Sequence, residues 1–578
     1  MKEVEKEVEK EVEKEVKKEV KKRKTVRVTL VGKEKKEELQ VEVGTTLKEF
    51  FRNTIPRPAG NPVVGAKINE SEVDLWYAIQ EDCEIKPIDL THYSGVKVYE
   101  RSLVLLVLKA LEDLYPDIQL EVHHAISKGV YCEFQGENSI GNNMVQQILD
   151  HMRKLVINAV PFEKREVPLK EAIELFKKQN REDTVQLLQK SPQDTITIYS
   201  CGNSIVTFYS YTVPDASYLK NFNIMHYGSG IIIRFPEQQA PDIIPEYIEQ
   251  DRLFRVFQEH KQWIKILGVD TIGKLNHICK KNKIKDFVRV SEAIQEKNIA
   301  KIADQIANDR ENIRIILISG PSSSGKTTFS KRLTVHLRVN GINAVPLSLD
   351  DYFKNHEATP RDELGELNFE CIETLDVTLL NQHLTDLLDN RVVEIPKYNF
   401  NEGKRSATTK KLQLQPNEII ILEGIHGLNP KLTATIPNLN KFKIYVSALT
   451  VINIDYYNRI PTTDLRIIRR IVRDNQFRGY SATDTLKRWN SIRRGENENI
   501  FPYQNYANVM FNSAMAYELV VLKNFVTPLL EKIQPDSSVY SEAVRLLTFL
   551  AYFESASSDI VPDNSILREF IGGSSFKY

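Results

Sequence analysis

One stretch limits the folds open to this chain more than any other: Ile313-Arg-Ile-Ile-Leu-Ile-Ser319 runs directly into Gly320-Pro-Ser-Ser-Ser-Gly-Lys-Thr-Thr328. The first part is short, apolar and β-branched, as expected of a strand buried on both faces of a parallel sheet. The second part matches G-x-x-x-x-G-K-[ST] and leads into a helical pattern from Phe329 to Val339. Glycines at 320 and 325 let main-chain N–H groups converge, and a helix starting there aims its positive end at the same point. The combination reads as a cradle for ATP. Gly320, Ser322, Ser323, Ser324, Gly325, Lys326, Thr327 and Thr328 are its expected lining, with Lys326 on the β- and γ-phosphates and the Thr327 hydroxyl on Mg²⁺. A glycine-rich turn that merely contains a lysine is the competing reading; the strand before and the helix after argue against it.

Two further apolar runs end in acid. Ala344-Val-Pro-Leu-Ser-Leu349 stops at Asp350-Asp351-Tyr352-Phe353, and Glu418-Ile-Ile-Ile-Leu422 stops at Glu423-Gly424-Ile425-His426-Gly427. Read as strands of a doubly wound sheet, they bring both carboxylates to the strand ends where such sheets bind ligands, with the Asp350 strand expected beside the loop strand. Phosphoryl transfer needs a group that orients or deprotonates the acceptor hydroxyl and a metal that offsets charge. Asp350 suits either need, and Glu423 is placed to serve Mg²⁺ or its water shell. An Asp pair capping a helix is the alternative for Asp351 and, less readily, for Asp350.

Taken in order, G-P-S-S-S-G-K-T-T, L-D-D-Y-F and I-L-E-G-I-H resemble the uridine kinase and phosphoribulokinase family over about 200 residues. The resemblance implies an α/β kinase domain with a parallel sheet, ATP and Mg²⁺ as cofactors, and transfer to an alcohol group. Asp350 matches the family's catalytic Asp, Lys326 its phosphate lysine, and Thr327 and Glu423 its magnesium-associated groups. Leu367-Asn-Phe-Glu370 is similar to N-F-D, whose carboxylate grips ribose hydroxyls, but Glu370 stands where the family has Asp. Pro396-Lys-Tyr-Asn-Phe400 is similar to P-x-Y-D-F, which implies that Tyr398 and Phe400 contact a base; core packing is the alternative for each ring. The family's base-reading His has no match in Asn401-Glu-Gly-Lys-Arg405.

Arg466, Arg469, Arg470, Arg473 and Arg478 recur at helical spacing, so one basic face is expected, suited to closing over phosphates and stabilising charge on the transferred group. The segment resembles the family's lid, R-R-x-x-R-D-x-x-x-R-G. That likeness sets Arg470 toward the acceptor, and Arg473, as a catalytic residue, and Arg478 toward the nucleotide; Tyr480 stands where another Arg is common. A helix bound to RNA phosphates, or simply solvated, is the other reading.

At 578 residues the chain exceeds the ~250–300 at which single cores stop growing. Residues 1–24 repeat K-E-V-E, whose four-residue period holds no single helix face, and read as a charged tail. Alternating strands, Gly44-Thr-Thr and a short helix make 25–92 a small α+β unit that resembles a TGS domain, the ubiquitin-like module at the front of threonyl-tRNA synthetases. Residues 93–235 are similar to that synthetase's second additional domain. Arg101, Leu105, Phe208 and Thr212 occupy the positions of its editing ligands, so the resemblance does not carry editing hydrolysis. His123 and His124, adjacent on a strand, are expected on opposite faces and unable to share a metal. Residues 236–311 read as a helical connector, and 312–578 as the kinase domain with a helical extension.

Lys+Arg and Asp+Glu each number 78, so no net charge draws the chain to nucleic acid or membrane. The longest apolar run, Leu103 to Leu108, is far below the roughly 20 residues of a membrane span, and the acidic start argues against a secretory or transit leader. The five cysteines never form C-x-x-C, which suits a reducing cytoplasm and supplies no zinc site. Three functions stay open: phosphorylation of a nucleoside, uridine or cytidine first; an ATPase that senses RNA or tRNA through the TGS-like module; and a kinase for another sugar or alcohol. The partner is thus a small-molecule acceptor, with RNA contact and oligomerisation left open.

Overall fold

The computed structural model describes residues 24–32, 36–55, 61–135, 141–208, 210–361, 365, 368–399 and 402–577. The charged tail apart from Lys24, and Phe400, lie outside the described residues. Two compact units emerge, one of Met1–Arg181, Gln193–Ile248 and Pro535–Ser541, the other of Glu182–Pro192, Glu249–Gln534 and Glu542–Tyr578. Among the described residues no helix is long and apolar enough to cross a membrane.

The first unit opens with a five-stranded mixed sheet in the order Lys36–Glu42, Thr25–Val31, Cys83–Ile88, Gly65–Ile68, Ser71–Val73. Its helix, Leu47–Thr54, starts at a capping box: the Thr46 side chain accepts from the Glu49 amide while the Glu49 carboxylate accepts from the Thr46 amide. Leu47, Phe50 and Phe51 turn inward. A second, antiparallel sheet follows, in the order Asn223–Tyr227, Gly230–Arg234, Gly129–Gln135, Gln119–Ile126. Here one expectation fails. The register slips between Val122 and Ala125, and at this bulge the rings of both His123 and His124 approach Tyr131, with centroids 6.0 and 5.3 Å away. A bulge cancels the strict alternation on which opposite faces depended.

The second unit is built on a five-stranded parallel sheet. Its strands are β1 (Ile315–Ser319), β2 (Asn343–Ser348), β3 (Glu418–Glu423), β4 (Lys441–Ser447) and β5 (Val509–Asn512), in the spatial order β2-β3-β1-β4-β5. Every residue of β1 is buried, as its unbroken apolar run requires. The Asp350 strand is therefore not beside the loop strand: β3 lies between them. Pro346 explains the outcome in part, because a residue with no N–H is tolerated on an edge strand, and β2 is an edge. The phosphate-loop helix, α1 (Lys326–Val339), packs against the connector helix Ile284–Asn308, where Arg332 meets Glu292 at 3.4 Å.

Three more helices close the unit around the loop: α2 (Thr462–Phe477), α3 (Ala482–Asn499) and α4 (Glu518–Leu530). The arginines of α2 do not share one solvent face. Arg469 is fully buried and ion-paired with Glu518 of α4, Nε to Oε2 at 2.6 Å and Nη2 to Oε1 at 3.0 Å. Arg466, 2% exposed, pairs with the buried Glu496 of α3 and donates from Nε to the Ser322 carbonyl at 3.0 Å. Both are struts of the interior, since a guanidinium in an apolar helix interface needs a carboxylate to satisfy it. Removing one partner strands the other charge, so Arg469→Met is expected to lower the stability of this unit by ~3–5 kcal/mol. Scanning calorimetry of the full chain would show one transition moved down by several degrees and the other unmoved.

Candidate active site

The loop between β1 and α1 takes its shape from close backbone approach. A Cβ on Gly320 would lie 1.9 Å from the Val446 carbonyl of β4, so only glycine fits there. Ser323 sits at φ 59° and Gly325 at φ 79°, left-handed conformations that turn successive amides toward one point. The strain is held by the struts below: Arg469 Nη1 donates to the Ser323 carbonyl at 3.4 Å. Among the described residues the Ser323 and Ser324 hydroxyls are buried without a hydrogen-bond partner. Buried polar atoms usually have partners, so this cradle is short of a ligand rich in acceptors.

Strand register brings the acids to the loop. Glu423 lies opposite Ile318 of β1 and opposite Ser348 of β2, and Asp350 follows on a 3-10 turn whose Ser348 hydroxyl accepts from the Asp350 amide at 3.2 Å. The Thr327 hydroxyl donates to Glu423 Oε2 at 3.4 Å. Burial pushes the Glu423 carboxyl up to about 7, aided by Asp350 and opposed by Lys326. Burial likewise raises Asp350 against the pull of Arg478, Lys326 and Arg473, and lowers Lys326 against the pull of Glu423, Glu569 and Asp350. Lys326, Asp350, Glu423, Arg473 and Arg478 thus act on one another's charge as one cluster.

The cationic side comes from the outer arginines of α2 and from Arg478 at its C-terminal cap. Arg470 donates from Nη1 to the Ser322 hydroxyl at 2.6 Å and pairs through Nε with Asp474 at 3.1 Å. Arg473 and Arg478 share that same Asp474, at 2.8 and 3.8 Å. One carboxylate serves three guanidinium groups, and Arg478 has its pKa lowered first by the neighbouring Arg473. Like charges held this close favour an incoming polyanion.

Glu370 joins the cluster from the segment between β2 and β3. Its amide donates to Asn368 Oδ1 at 3.0 Å, and its Oε2 is enclosed with no hydrogen-bond partner among the described residues. Burial, then the nearby Glu496, push its carboxyl up to about 7, with Arg470 opposing. Tyr398 is not drawn in. Its ring belongs to the core under β1, β2 and β3, with Phe353 at 5.6 Å between centroids, so packing accounts for its position. Phe400, beyond the described residues, has no structural account.

The residues present fit a nucleotide triphosphate with a divalent cation. Among the described residues no group of three or more His, Cys, Asp or Glu forms a ready-made metal cage. Mg²⁺ characteristically takes one or two carboxylates and completes its shell with phosphate oxygens and water, and Thr327, Glu423 and Asp350 offer that partial set. Two residues at the loop were not foreseen. Glu496 Oε1 accepts from the Ser322 amide at 3.0 Å, and Glu569 Oε2 accepts from the Thr328 amide at 3.0 Å and its hydroxyl at 2.8 Å. Neither belongs to a local motif, and both lie far along the chain from the loop, so no sequence signal marks them.

A family model described as phosphoribulokinase / uridine kinase matches residues 315–519. The uridine kinase of Ligilactobacillus salivarius is 32% identical over 221 residues, which cover 37% of this chain and 94% of that protein. The uridine kinase of Staphylococcus haemolyticus is 32% identical over 200 residues, 34% of this chain and 87% of that protein. The N-terminal region is similar to a threonine–tRNA ligase of Desulforamulus reducens, 29% identical over 184 residues, 32% of this chain but only 29% of that protein.

Glu370 supplies a pH test. Its folded pKa is raised from 4.5, so the folded state keeps a proton that the unfolded chain releases above that value. The resulting stability is complete below about pH 4.5 and is lost as pH rises through about 7. The melting temperature of the second unit should fall by a few degrees across that window in the wild type, and Glu370→Gln should reduce the slope to the part that Glu423 supplies over the same window.

Proposed function

The chain belongs to the phosphoribulokinase / uridine kinase family, and from that membership we propose that it transfers the γ-phosphoryl group of ATP to the 5′-hydroxyl of a pyrimidine ribonucleoside, uridine or cytidine. The observation that carries this reading is the convergence of Lys326, Asp350, Glu423 and the outer α2 arginines on one loop at one edge of the sheet. Bound ATP supplies the transferable group, and Mg²⁺ held by Thr327 and Glu423, with Asp350 beside them, would supply Lewis-acid charge.

The chain's own residues do the rest. The loop amides and Lys326 bind and orient the phosphates, and Arg473 and Arg478 balance negative charge as it shifts toward the leaving side. Asp350 holds the acceptor hydroxyl and accepts its proton; its raised affinity for a proton suits that task. Glu370, enclosed and without a hydrogen-bond partner on Oε2 among the described residues, holds the acceptor's ribose hydroxyls, with Arg470 beside it. Its extra methylene relative to Asp shifts that grip by about one carbon–carbon bond, so another sugar or alcohol acceptor is the nearest variant of the reading. The described cysteines are all free, which fits a reducing cytoplasm.

The likeness of the N-terminal region to a tRNA ligase favours a second reading, in which a TGS-like module brings RNA to an ATP-driven switch. Gel shift with tRNA over a salt series, alongside ATPase assays with and without RNA, separates the two.

A panel of ribonucleosides and sugars, scored by mass spectrometry for phosphorylated product, tests the first. Uridine or cytidine should accelerate ADP formation, and acceleration by none of the panel would remove the nucleoside assignment. Asp350→Asn should lower turnover by ~10²–10⁴-fold while leaving ATP affinity within about twofold. Lost ATP binding in that variant would mean a role in the fold or the metal site instead.

A further inference from the structure

The last stretch of the chain has little regular structure, only a 3-10 turn at Ser558–Ile560 and one helical turn at Arg568–Ile571, yet it is firmly packed. Ile566, Leu567 and Phe570 are fully buried. The Arg568 guanidinium closes the segment on itself, donating to the carbonyls of Val561 at 2.7 Å and Ser558 at 3.0 Å. The segment docks on the phosphate loop. The Ile566 side chain lies 2.5 Å from where a Cβ on Gly325 would stand, the Arg469 guanidinium lies 4.9 Å from the Phe570 ring centre, and Gln476 Nε2 donates to the Ile571 carbonyl at 3.1 Å.

That docking places one charged group where a ligand belongs. Gly325 is the N-cap of α1, so Lys326, Thr327 and Thr328 carry its first amides, those that a helix does not pair within itself and that a loop of this kind offers to phosphate. Glu569 takes the last of them, accepting from both the amide and the hydroxyl of Thr328. Its charge also acts on Lys326 and Lys331. At the other end of the loop, Glu496 takes the Ser322 amide, but that carboxylate is fixed by its buried pair with Arg466. Glu569 is only partly buried and its carboxylate is held by Thr328 instead of by a buried guanidinium, so it is the member of the pair that can leave.

We infer that the C-terminal segment is a built-in competitor of the nucleotide: the Glu569 carboxylate occupies a phosphate donor of the loop, and ATP binds by displacing it. Two anions cannot share one amide at low cost, so the apparent affinity equals the intrinsic affinity reduced by the fraction of molecules with the turn undocked. This device regulates the loop and rests on the reading of that loop as a nucleotide site.

Calorimetric titration of the full chain with MgATP tests it, comparing wild type, Glu569→Gln, Glu569→Ala and the control Asp559→Asn, whose exposed carboxylate lies in the same segment and accepts from Ser557. Both Glu569 variants should bind about tenfold tighter, ~1.4 kcal/mol, and the control should match wild type. Hydrogen exchange at residues 565–572 of the wild type should accelerate when MgATP is added. Affinities that are equal, or weaker in the Glu569 variants, overturn the inference whatever the exchange shows, because the carboxylate would then be a plain helix cap or a part of the nucleotide site. Should both variants fail to fold, unchanged exchange in the wild type overturns it and faster exchange upholds it. Absence of MgATP binding in every chain, the Glu569 variants included, removes the nucleotide reading itself.

Discussion

Parallel pairing of β3 with β1 on one side and β2 on the other is the interaction on which the rest of the site depends. Ile318, Glu423 and Ser348 lie at one level across three strands, so the loop after β1, the acid ending β3 and the acid following β2 leave the sheet at one edge. The link between the strand ends is also direct, since the Gly424 amide donates to the Ile318 carbonyl at 3.1 Å and the Ser319 hydroxyl to the Ile425 carbonyl at 2.7 Å. A one-residue slip of β3 would turn Glu423 to the other face.

Around that edge the charges fall into two classes with different tasks. Arg466 and Arg469 are matched one to one with buried carboxylates and support the loop from below through the Ser322 and Ser323 carbonyls. Arg470, Arg473 and Arg478 share Asp474, which leaves an excess of positive charge on the side facing Asp350 and Lys326. The first class fixes geometry and the second is poised for an anion. Helical spacing alone cannot separate them, because residues three and four apart lie on one broad face and burial within that face depends on which helices arrive against it.

Much of the fold was nonetheless legible in local pattern. The apolar runs ending at Ser319, Leu349 and Leu422 are too short, and too sharply ended, for helices, and the loop motif dictates a strand before it and a helix after it. What was not legible is order and exception. The place of β3 between β1 and β2 is a matter of crossover connections, for which the one local hint was Pro346. The bulge at His123 and His124 depends on the partner strand. The burial of Tyr398 against Phe353 and the arrival of Glu496 and Glu569 at the loop are contacts between segments remote in sequence.

By itself, then, the sequence determined the chemistry on offer: amides made convergent by glycine, a lysine and threonine following them, and acids at strand ends, all set by local conformational preference over a few residues. Tertiary structure alone decided which of the arginines are buried struts and which remain for a ligand, how far Glu423 and Glu370 are pushed toward protonation, and that a carboxylate from the far C-terminal turn rests on the Thr328 amide. Those outcomes depend on burial and on charges brought within a few ångströms, and neither quantity exists until distant parts of the chain have packed together.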